Sequence, residues 1–301
     1  MIYGVLAYLM WGLFPAFFPL LLPAGPLEIL AHRIIWTAVV MSIVVTIRKG
    51  WKEFSGVGRA TWLRVVVAAV FIALNWLIYV IAVNSAQVTE AALGYFINPL
   101  VSVVFGIIFF REQLRRLQVL SVTIAVAAVL FLTFLGGQPP LLALSLAFTF
   151  GVYGAIKKKV NMSAITSLTA ETFVLLPIAL GYILWLESTG EGTFFNNGPD
   201  HVALLISAGL VTALPLLMFG YAAKAIPLST VGMLQYMTPT MQMLWAVLIV
   251  NEHLEPLRWA GFIIIWIAVA LYLLDILAQK SRNAVQEGRK KAQGVVRNPT
   301  P

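Results

Sequence analysis

The chain has 301 residues, of which 60% are hydrophobic and 11% are charged, and its formal net charge is +8. Ordinary soluble domains carry about 25% charged residues, so this composition excludes a soluble protein. Cysteine is absent, which excludes disulfides and thiolate metal sites. The sequence therefore predicts a membrane protein without a metal or another cofactor.

Apolar runs of about 20 residues, long enough to cross about 30 Å of hydrocarbon, recur along the chain. They predict ten spans, at 2–22, 27–47, 62–83, 88–110, 117–135, 140–156, 169–186, 202–223, 229–250 and 257–278. The first residues, MIYGVLAYLM, lack a basic stretch, so they are predicted to begin the first span rather than a cleaved signal. The predicted fold class is all-α and integral to the membrane.

Lysine and arginine are concentrated in alternate loops, those after the second, fourth, sixth and eighth spans, and in the tail. Only Arg33, Arg64 and Arg258 lie elsewhere. Because basic loops stay in the cytoplasm, both termini are predicted to be cytoplasmic. The polar, basic segment 279–301 has no apolar period and is predicted to be a disordered cytoplasmic tail.

Two stretches of the chain repeat each other at a shift of 140 residues: INPLVSVVFGIIFFREQLRRL (97–117) and MTPTMQMLWAVLIVNEHLEPL (237–257). The shift pairs Pro99 with Pro239 and Glu112 with Glu252. It predicts two domains, 1–139 and 140–278, with five spans each. Because five is odd, the second copy enters the membrane from the opposite side. Inverted repeats are typical of secondary transporters, although channels are also built from repeats.

Prolines interrupt the middle of the fourth and ninth spans, where they leave the carbonyls of Tyr95 and Gln235 without a helical donor. Bare carbonyls are tolerated in a membrane where they line a wet cavity or meet a polar side chain. The two prolines, Pro99 and Pro239, are therefore predicted hinges. The neighbouring polar and aromatic side chains form a candidate substrate site, with helix packing as the alternative for each: Trp11, Asn75, Tyr79, Tyr95, Asn98, Gln235, Tyr236 and Thr238.

Arg33 is the predicted anion-binding residue of this site. It lies about six residues, or roughly 9 Å, inside the second span, where a central arginine costs about 2.5–3.5 kcal/mol. An ionisable residue at such depth indicates function, and the alternative is that Arg33 reaches the interface or pairs with Glu28. His32 is a candidate for proton coupling, with a structural role as the alternative. Acidic residues, Glu171 among them, are predicted near span ends, so no buried carboxylate relay is predicted.

The strings YLMWGLFPAFF, EILAHRIIW, ALGYFINPLV and PLSTVGMLQYMTPT resemble the RarD branch of the EamA-type members of the drug/metabolite transporter superfamily. Similar strings cover nearly the whole chain except its tail. The resemblance implies a permease of the bacterial inner membrane, grouped with exporters of amino acids and other metabolites and nominally linked to chloramphenicol sensitivity. Pro19 stands where members of the family commonly have a lysine.

These features predict a secondary active transporter that exports small amphipathic organic molecules, such as amino-acid-like compounds or drugs, by alternating access. A passive facilitator or channel is the alternative. An enzyme is not predicted, since the sequence offers no nucleophile–base set, and no Walker motif is present. The expected partners are a small-molecule substrate and membrane lipid but no nucleic acid, with the chain acting as a monomer or homodimer.

Overall fold

The computed structural model describes the backbone of residues 1–84, 88–135, 141–251, 253 and 256–297, and their side chains except at 80–93, 135, 280 and 283–297. Every regular element within these ranges is helical. Eight helical stretches in the described part are long and apolar enough to cross a membrane. The chain is therefore a multi-pass membrane protein.

The helices follow the predicted spans closely. They are α1 (Ile2–Gly12), α2 (Phe14–Phe17), α3 (Pro26–Ile47), α4 (Lys52–Ser55), α5 (Arg59–Asn84), α6 (Val88–Phe110), α7 (Arg116–Leu135), α8 (Leu141–Lys159), α9 (Ala164–Ser188), α10 (Gly198–Ala225), α11 (Leu228–Gln235), α12 (Met237–Leu248) and α13 (Pro256–Arg297), with a 3₁₀ turn at Phe18–Leu21. Eight predicted spans coincide with the eight membrane-length stretches. The fourth and ninth coincide with α6 and with the pair α11 and α12, so the count of ten remains a prediction.

The ninth predicted span is two helices rather than one kinked helix. α11 ends at Gln235, and α12 begins at Met237 after Tyr236. Pro239 lies in the first turn of α12, where backbone N–H groups have no intrahelical acceptor and a missing N–H costs nothing. Pro99, in contrast, lies inside the continuous helix α6.

The chain divides into two compact units, residues 1–112 with 136–254, and residues 113–135 with 255–301. In the smaller unit α7 packs against α13. Arg115 of that unit forms an ion pair with Asp275 at 2.5 Å, and a Cβ on Gly261 would lie 2.5 Å from Leu132. The predicted domains at 1–139 and 140–278 were drawn from the sequence repeat and remain a prediction.

Glycines set the close helix contacts of the larger unit. A Cβ on Gly209 of α10 would lie 2.3 Å from the Cβ of Trp36 on α3, and the Gly209 carbonyl accepts a hydrogen bond from Thr37 Oγ1 at 3.1 Å. Small residues allow such approach where no hydrophobic force drives helices together in lipid. The contact fixes α10 beside the helix that carries Arg33.

The last helix differs from the predicted tail. α13 continues to Arg297, whereas the sequence analysis predicts disorder beyond residue 278. The segment lacks an apolar period but contains alanine, glutamine, lysine and arginine, which have high intrinsic helix propensity. Propensity alone therefore accounts for a helix that periodicity does not indicate.

Candidate functional site

Arg33 lies within the larger unit, against aromatic side chains. It is the eighth residue of α3, about 10 Å along the axis from the start of that helix. Its Nε donates a hydrogen bond to Thr212 Oγ1 of α10 at 2.8 Å. The guanidinium carbon lies 4.9 Å from the ring centroid of Trp76, 5.3 Å from that of Phe18 and 5.7 Å from that of Phe14. Ring faces stabilise a cation at these distances.

The positive charge of Arg33 has no acidic partner among the side chains that the structure describes. Among the described side chains, no carboxylate oxygen lies within 4.0 Å of it. Glu28, the alternative partner, instead accepts hydrogen bonds from the Thr193 N–H at 2.7 Å and the Thr193 hydroxyl at 2.9 Å. The guanidinium thus keeps N–H donors for an external anion.

Two predicted tyrosines lie beside this arginine. The rings of Tyr79 and Tyr95 have centroids 6.1 Å apart, and both side chains interact electrostatically with Arg33. Trp76 completes the wall on α5. The structure therefore brings together three residues of the candidate site, Arg33, Tyr79 and Tyr95. It adds Phe14 and Phe18, which the sequence did not single out.

Asn75 does not face this group with a free amide. Its Nδ2 donates to the carbonyl of Leu146 at 2.8 Å and to Thr149 Oγ1 at 3.0 Å. Both acceptors belong to α8, so the amide joins α5 to α8. These contacts therefore favour a role for Asn75 in helix packing over a role in substrate binding.

Trp11 also lies in packed surroundings. Its ring contacts Phe150 and Phe219, each at a centroid distance of 5.8 Å. Pro15 has no N–H to give to the Trp11 carbonyl, and Gln242 Nε2 donates to that carbonyl instead at 3.3 Å. An aromatic cluster with a satisfied carbonyl is what helix packing predicts.

Unsatisfied polar atoms gather at the break between α11 and α12. Asn98, Gln235 and Tyr236 are 3%, 5% and 1% exposed. Asn98 Oδ1, Gln235 Oε1 and the Tyr236 hydroxyl have no hydrogen-bond partner within the described part of the chain. Thr238, in contrast, donates to the Tyr8 carbonyl at 3.0 Å. Buried polar groups are normally paired, so these three atoms are available to a ligand or water.

Asn98 and Gln235, whose amide oxygens lack a described partner, lie near a close contact between α6 and α11. A Cβ on Gly232 would lie 2.6 Å from the Pro99 carbonyl oxygen. Asn98 precedes Pro99, and Gln235 lies three residues after Gly232, on the same helix face. The predicted hinge at Pro99 therefore lies at this contact, and Asn98 is its neighbour in the sequence.

His32 is buried and stacks on Phe194, with ring centroids 4.7 Å apart. Neither ring nitrogen has a hydrogen-bond partner among the described residues. These contacts therefore do not support the alternative, in which His32 is a structural residue whose ring nitrogens are hydrogen-bonded.

The sequence analysis missed a buried ion pair. Lys157 Nζ lies 2.6 Å from Glu171 Oε1, and the side chains are 0% and 2% exposed. Ser167 Oγ donates to Glu171 at 2.7 Å, and the Tyr153 hydroxyl donates at 3.1 Å. Two predictions were wrong: Lys157 lies in α8 and not in the loop after the sixth span, and Glu171 lies inside α9 and not near the end of a span.

The error lay in the bounds of two helices. α8 extends to Lys159, and α9 begins at Ala164 rather than at residue 169. Ser163 caps α9 by accepting a hydrogen bond from the Thr166 N–H at 3.1 Å. Serine is a preferred N-cap, so the sequence held a signal for the earlier start. That start places Glu171 two turns inside the helix.

A small, mostly apolar cavity is lined by residues of both the ion-pair cluster and the Arg33 wall. Its lining includes Thr37, Trp76, Tyr153, Glu171 and Thr172. It has room for about one water molecule. Trp76 therefore contacts the guanidinium and borders the cavity that reaches the carboxylate.

Outside the spans, Glu53 binds the start of α9. Its carboxylate accepts hydrogen bonds from the Ser163 N–H and the Thr166 hydroxyl. Partial burial acts to raise the pKa of Glu53, but the hydrogen bonds from Thr166 and Ser163, aided by the charge of Lys224, outweigh it and lower that pKa below 4.5. The carboxylate is therefore ionised at neutral pH.

Comparison with known proteins gives consistent matches over nearly the whole chain. The sequence model of the EamA-like transporter family matches residues 1–134 and 139–274. Protein RarD of Streptomyces exfoliatus is 47% identical over 94% of this chain and 91% of its own length. The uncharacterized transporter YojE of Bacillus subtilis is 42% identical over 90% of this chain and 92% of its own. One solved crystal structure superposes on 91% of this chain and on 97% of its own chain, with a TM-score of 0.70 and 17% sequence identity. This likeness shows a shared fold.

Proposed function

The chain belongs to the EamA-like transporter family and is a membrane transporter, and we propose that it is a secondary active exporter of small amphipathic organic anions and zwitterions. Amino-acid-like metabolites and drugs of similar size are the substrate class. The proposed setting is the bacterial inner membrane, with both termini in the cytoplasm. The basic loops support this orientation.

The observation that carries the proposal is the uncompensated charge of Arg33. The guanidinium is held by Thr212 and by the ring of Trp76, yet no described carboxylate pairs with it. A charge at this depth is costly, and a substrate carboxylate offsets that cost by a bidentate hydrogen bond. Tyr79 and Tyr95 flank the position that the apolar part of such a substrate would take.

The proposed mechanism is alternating access between two inverted halves, residues 1–139 and 140–278. The two matched family segments support this division. The break at Tyr236 and the proline in α6 supply the flexible points at which helix segments reorient. Asn98 and Gln235 lie at this level with unpartnered oxygens, which suits donors of a bound substrate.

Counterflow in proteoliposomes tests the proposal. The probes are radiolabelled L-phenylalanine, benzoate and chloramphenicol, measured with the wild type, Arg33→Ala and Arg33→Lys. We expect exchange of an anionic or zwitterionic probe, a loss of at least about tenfold in Arg33→Ala, and partial retention in Arg33→Lys, because lysine keeps the charge but not the bidentate geometry.

Arg48→Ala is the matched control, because Arg48 is exposed at the other end of the same helix. It should exchange as the wild type does. Full exchange by Arg33→Ala would remove the assigned role of the guanidinium. Downhill flux of a probe without counterflow would instead identify a passive facilitator or channel.

A further inference from the structure

We propose that Glu171 binds a proton during the transport cycle and that Lys157 is its counter-ion, so that protonation releases the end of α8 from α9. The proposal rests on the transport function above and adds a coupling ion to it. It assigns to one buried carboxylate the role that the sequence analysis considered for His32.

The pair is held by direct contacts on every side. Glu171 accepts from Lys157, Ser167 and Tyr153 at 2.6, 2.7 and 3.1 Å. Lys157 also donates to Ser167 Oγ at 3.0 Å. Buried ion pairs are poor stabilisers, because desolvation offsets their attraction. Ionisable groups within membrane helices instead mark ion and proton pathways.

The carboxylate borders a small cavity whose surface is mostly apolar, and Thr37, Thr172 and the ring of Trp76 line the same cavity. The cavity lies on the side of Glu171 that faces the Arg33 wall, because Trp76 also contacts the guanidinium. In the proposal the proton enters from this side.

Other charged groups surround the pair. Lys224 of α10 interacts electrostatically with both Lys157 and Glu171, and with Glu53 of α4. Arg64 of α5 donates to the Lys159 carbonyl at 3.0 Å. Thr37 of α3 also lines the cavity, and its neutral hydroxyl donates to the Gly209 carbonyl. Glu171 is thus paired directly with Lys157, and Lys224 is a second cation that acts on it.

The ion pair closes one end of the larger unit together with backbone contacts. Lys158 Nζ donates to the carbonyls of Ala223 and Ile226 at 3.2 and 2.6 Å. Lys224 Nζ donates to the carbonyls of Val160 and Met162, at 2.9 Å for the first. These bonds tie the connection between α8 and α9 to the end of α10.

The chemical step is a simple proton transfer. Hydronium gives its proton to a Glu171 oxygen, so that one O–H bond forms, one breaks, and a water molecule remains. The neutral acid no longer attracts Lys157, whose ammonium keeps Ser167 Oγ as an acceptor. The end of α8 then separates from α9, and the helix connection opens.

Because the chain has no cysteine, a single introduced cysteine reports this opening. Val160→Cys replaces a side chain that is 3% exposed between α8 and α9. Its labelling rate with a charged maleimide is measured from pH 5 to 8 in lipid nanodiscs without substrate. The rate at exposed Gly56→Cys in the same range corrects for the ionisation of the thiol itself.

We expect the corrected rate to rise as the pH falls, because protonation opens the connection. In Glu171→Gln, which mimics the protonated acid, the rate should be high and independent of pH. Glu171→Asp should restore the pH response with a shifted midpoint. Glu112→Gln is the matched control: Glu112 accepts from the N–H groups of Leu228 and Ser229, and its loss should leave the response intact.

A corrected wild-type rate that does not change with pH, or a response that persists in Glu171→Gln, would overturn the proposal. If Glu171→Gln does not fold, a pH-independent rate in Glu171→Asp would overturn it as well. The readout needs no substrate. A pH response without any counterflow would therefore contradict the proposed transport function and leave the proton site standing. Counterflow without a pH response would contradict the proton site and leave the transport function standing.

Discussion

The guanidinium of Arg33 is anchored to Thr212 by a hydrogen bond of 2.8 Å that joins α3 to α10. One N–H of the side chain is used in this bond, and the face of the guanidinium is covered by the ring of Trp76. The orientation of the remaining donors is therefore fixed by two neighbouring helices. The first prediction follows from this anchor.

Thr212→Val removes the hydroxyl that orients Arg33 but keeps the side-chain volume and the charge. A hydrogen bond to a charged group contributes about 1.5–3 kcal/mol, so we expect KM for an anionic probe to rise about tenfold while the maximal rate is retained. Probe exchange in proteoliposomes measures both. Thr123→Val is the control, because the Thr123 hydroxyl bonds only within its own exposed helix turn. An unchanged KM in Thr212→Val would show that the anchor does not orient the site.

Two asparagines should respond differently to alanine. Asn75 joins α5 to α8 by two hydrogen bonds, whereas Asn98 is buried with an oxygen that lacks a described partner. We expect Asn75→Ala to lower the free energy of unfolding by about 1 kcal/mol or less and to keep substrate exchange. Asn98→Ala should keep stability and reduce exchange. Thermal melting in detergent and counterflow, measured on both variants, separate the two roles; the reverse pattern would contradict the assignment.

Gly209→Ala should destabilise the larger unit. The added methyl would lie 2.3 Å from Trp36 Cβ and 2.4 Å from its backbone carbonyl carbon. Overpacking of this kind costs about 1–3 kcal/mol, so the melting temperature should fall. Gly181→Ala is the matched control, because nothing lies within 4 Å of its new Cβ and the position is an exposed helix interior. A melting temperature of Gly209→Ala equal to that of the control would refute the close helix contact.

Glu53→Gln should destabilise the protein at neutral pH only. The pKa of Glu53 is lowered in the folded state, so its contribution is present above the ordinary value of 4.5 and is lost as the pH falls through the folded-state pKa. The difference in melting temperature between wild type and variant should be about 1–2 °C at pH 7. It should shrink below pH 4.5. Glu191→Gln, at an exposed carboxylate, is the control for the loss of one acidic side chain. A Glu53→Gln difference that is constant with pH would contradict the Glu53 contacts.

Eight of the ten spans could be predicted from the sequence at their observed positions, because apolar length is a local property that the membrane dictates. The place of Arg33 near the start of its helix could also be predicted, since it depends only on where the helix begins. Contacts between helices were not readable. The partners of Asn75 lie 71 and 74 residues away on a helix that is apolar on all faces, and such helices give no periodic signal for the side that packs.

The Lys157–Glu171 pair is a second contact between helices that local sequence patterns did not predict. A run of three lysines after an apolar stretch is typical of a solvated loop, and only the cap at Ser163 indicates otherwise. Local patterns set the bounds of helices to within a few residues. A shift of five residues at the start of α9 decides whether Glu171 meets water or Lys157.

In the proposed carrier, the charge of Arg33, which no described acid neutralises, would make the empty state sensitive to voltage. A full charge that crosses the membrane gains or loses about 2.3 kcal/mol per 100 mV, and Arg33 lies about a third of the way through, at about 10 Å. Any movement of α3 along the membrane normal therefore does electrical work while the site is empty. A bound monovalent anion cancels that charge. In the proposed cycle the membrane potential would therefore act on the return of the empty carrier and not on the carrier loaded with a monovalent anion.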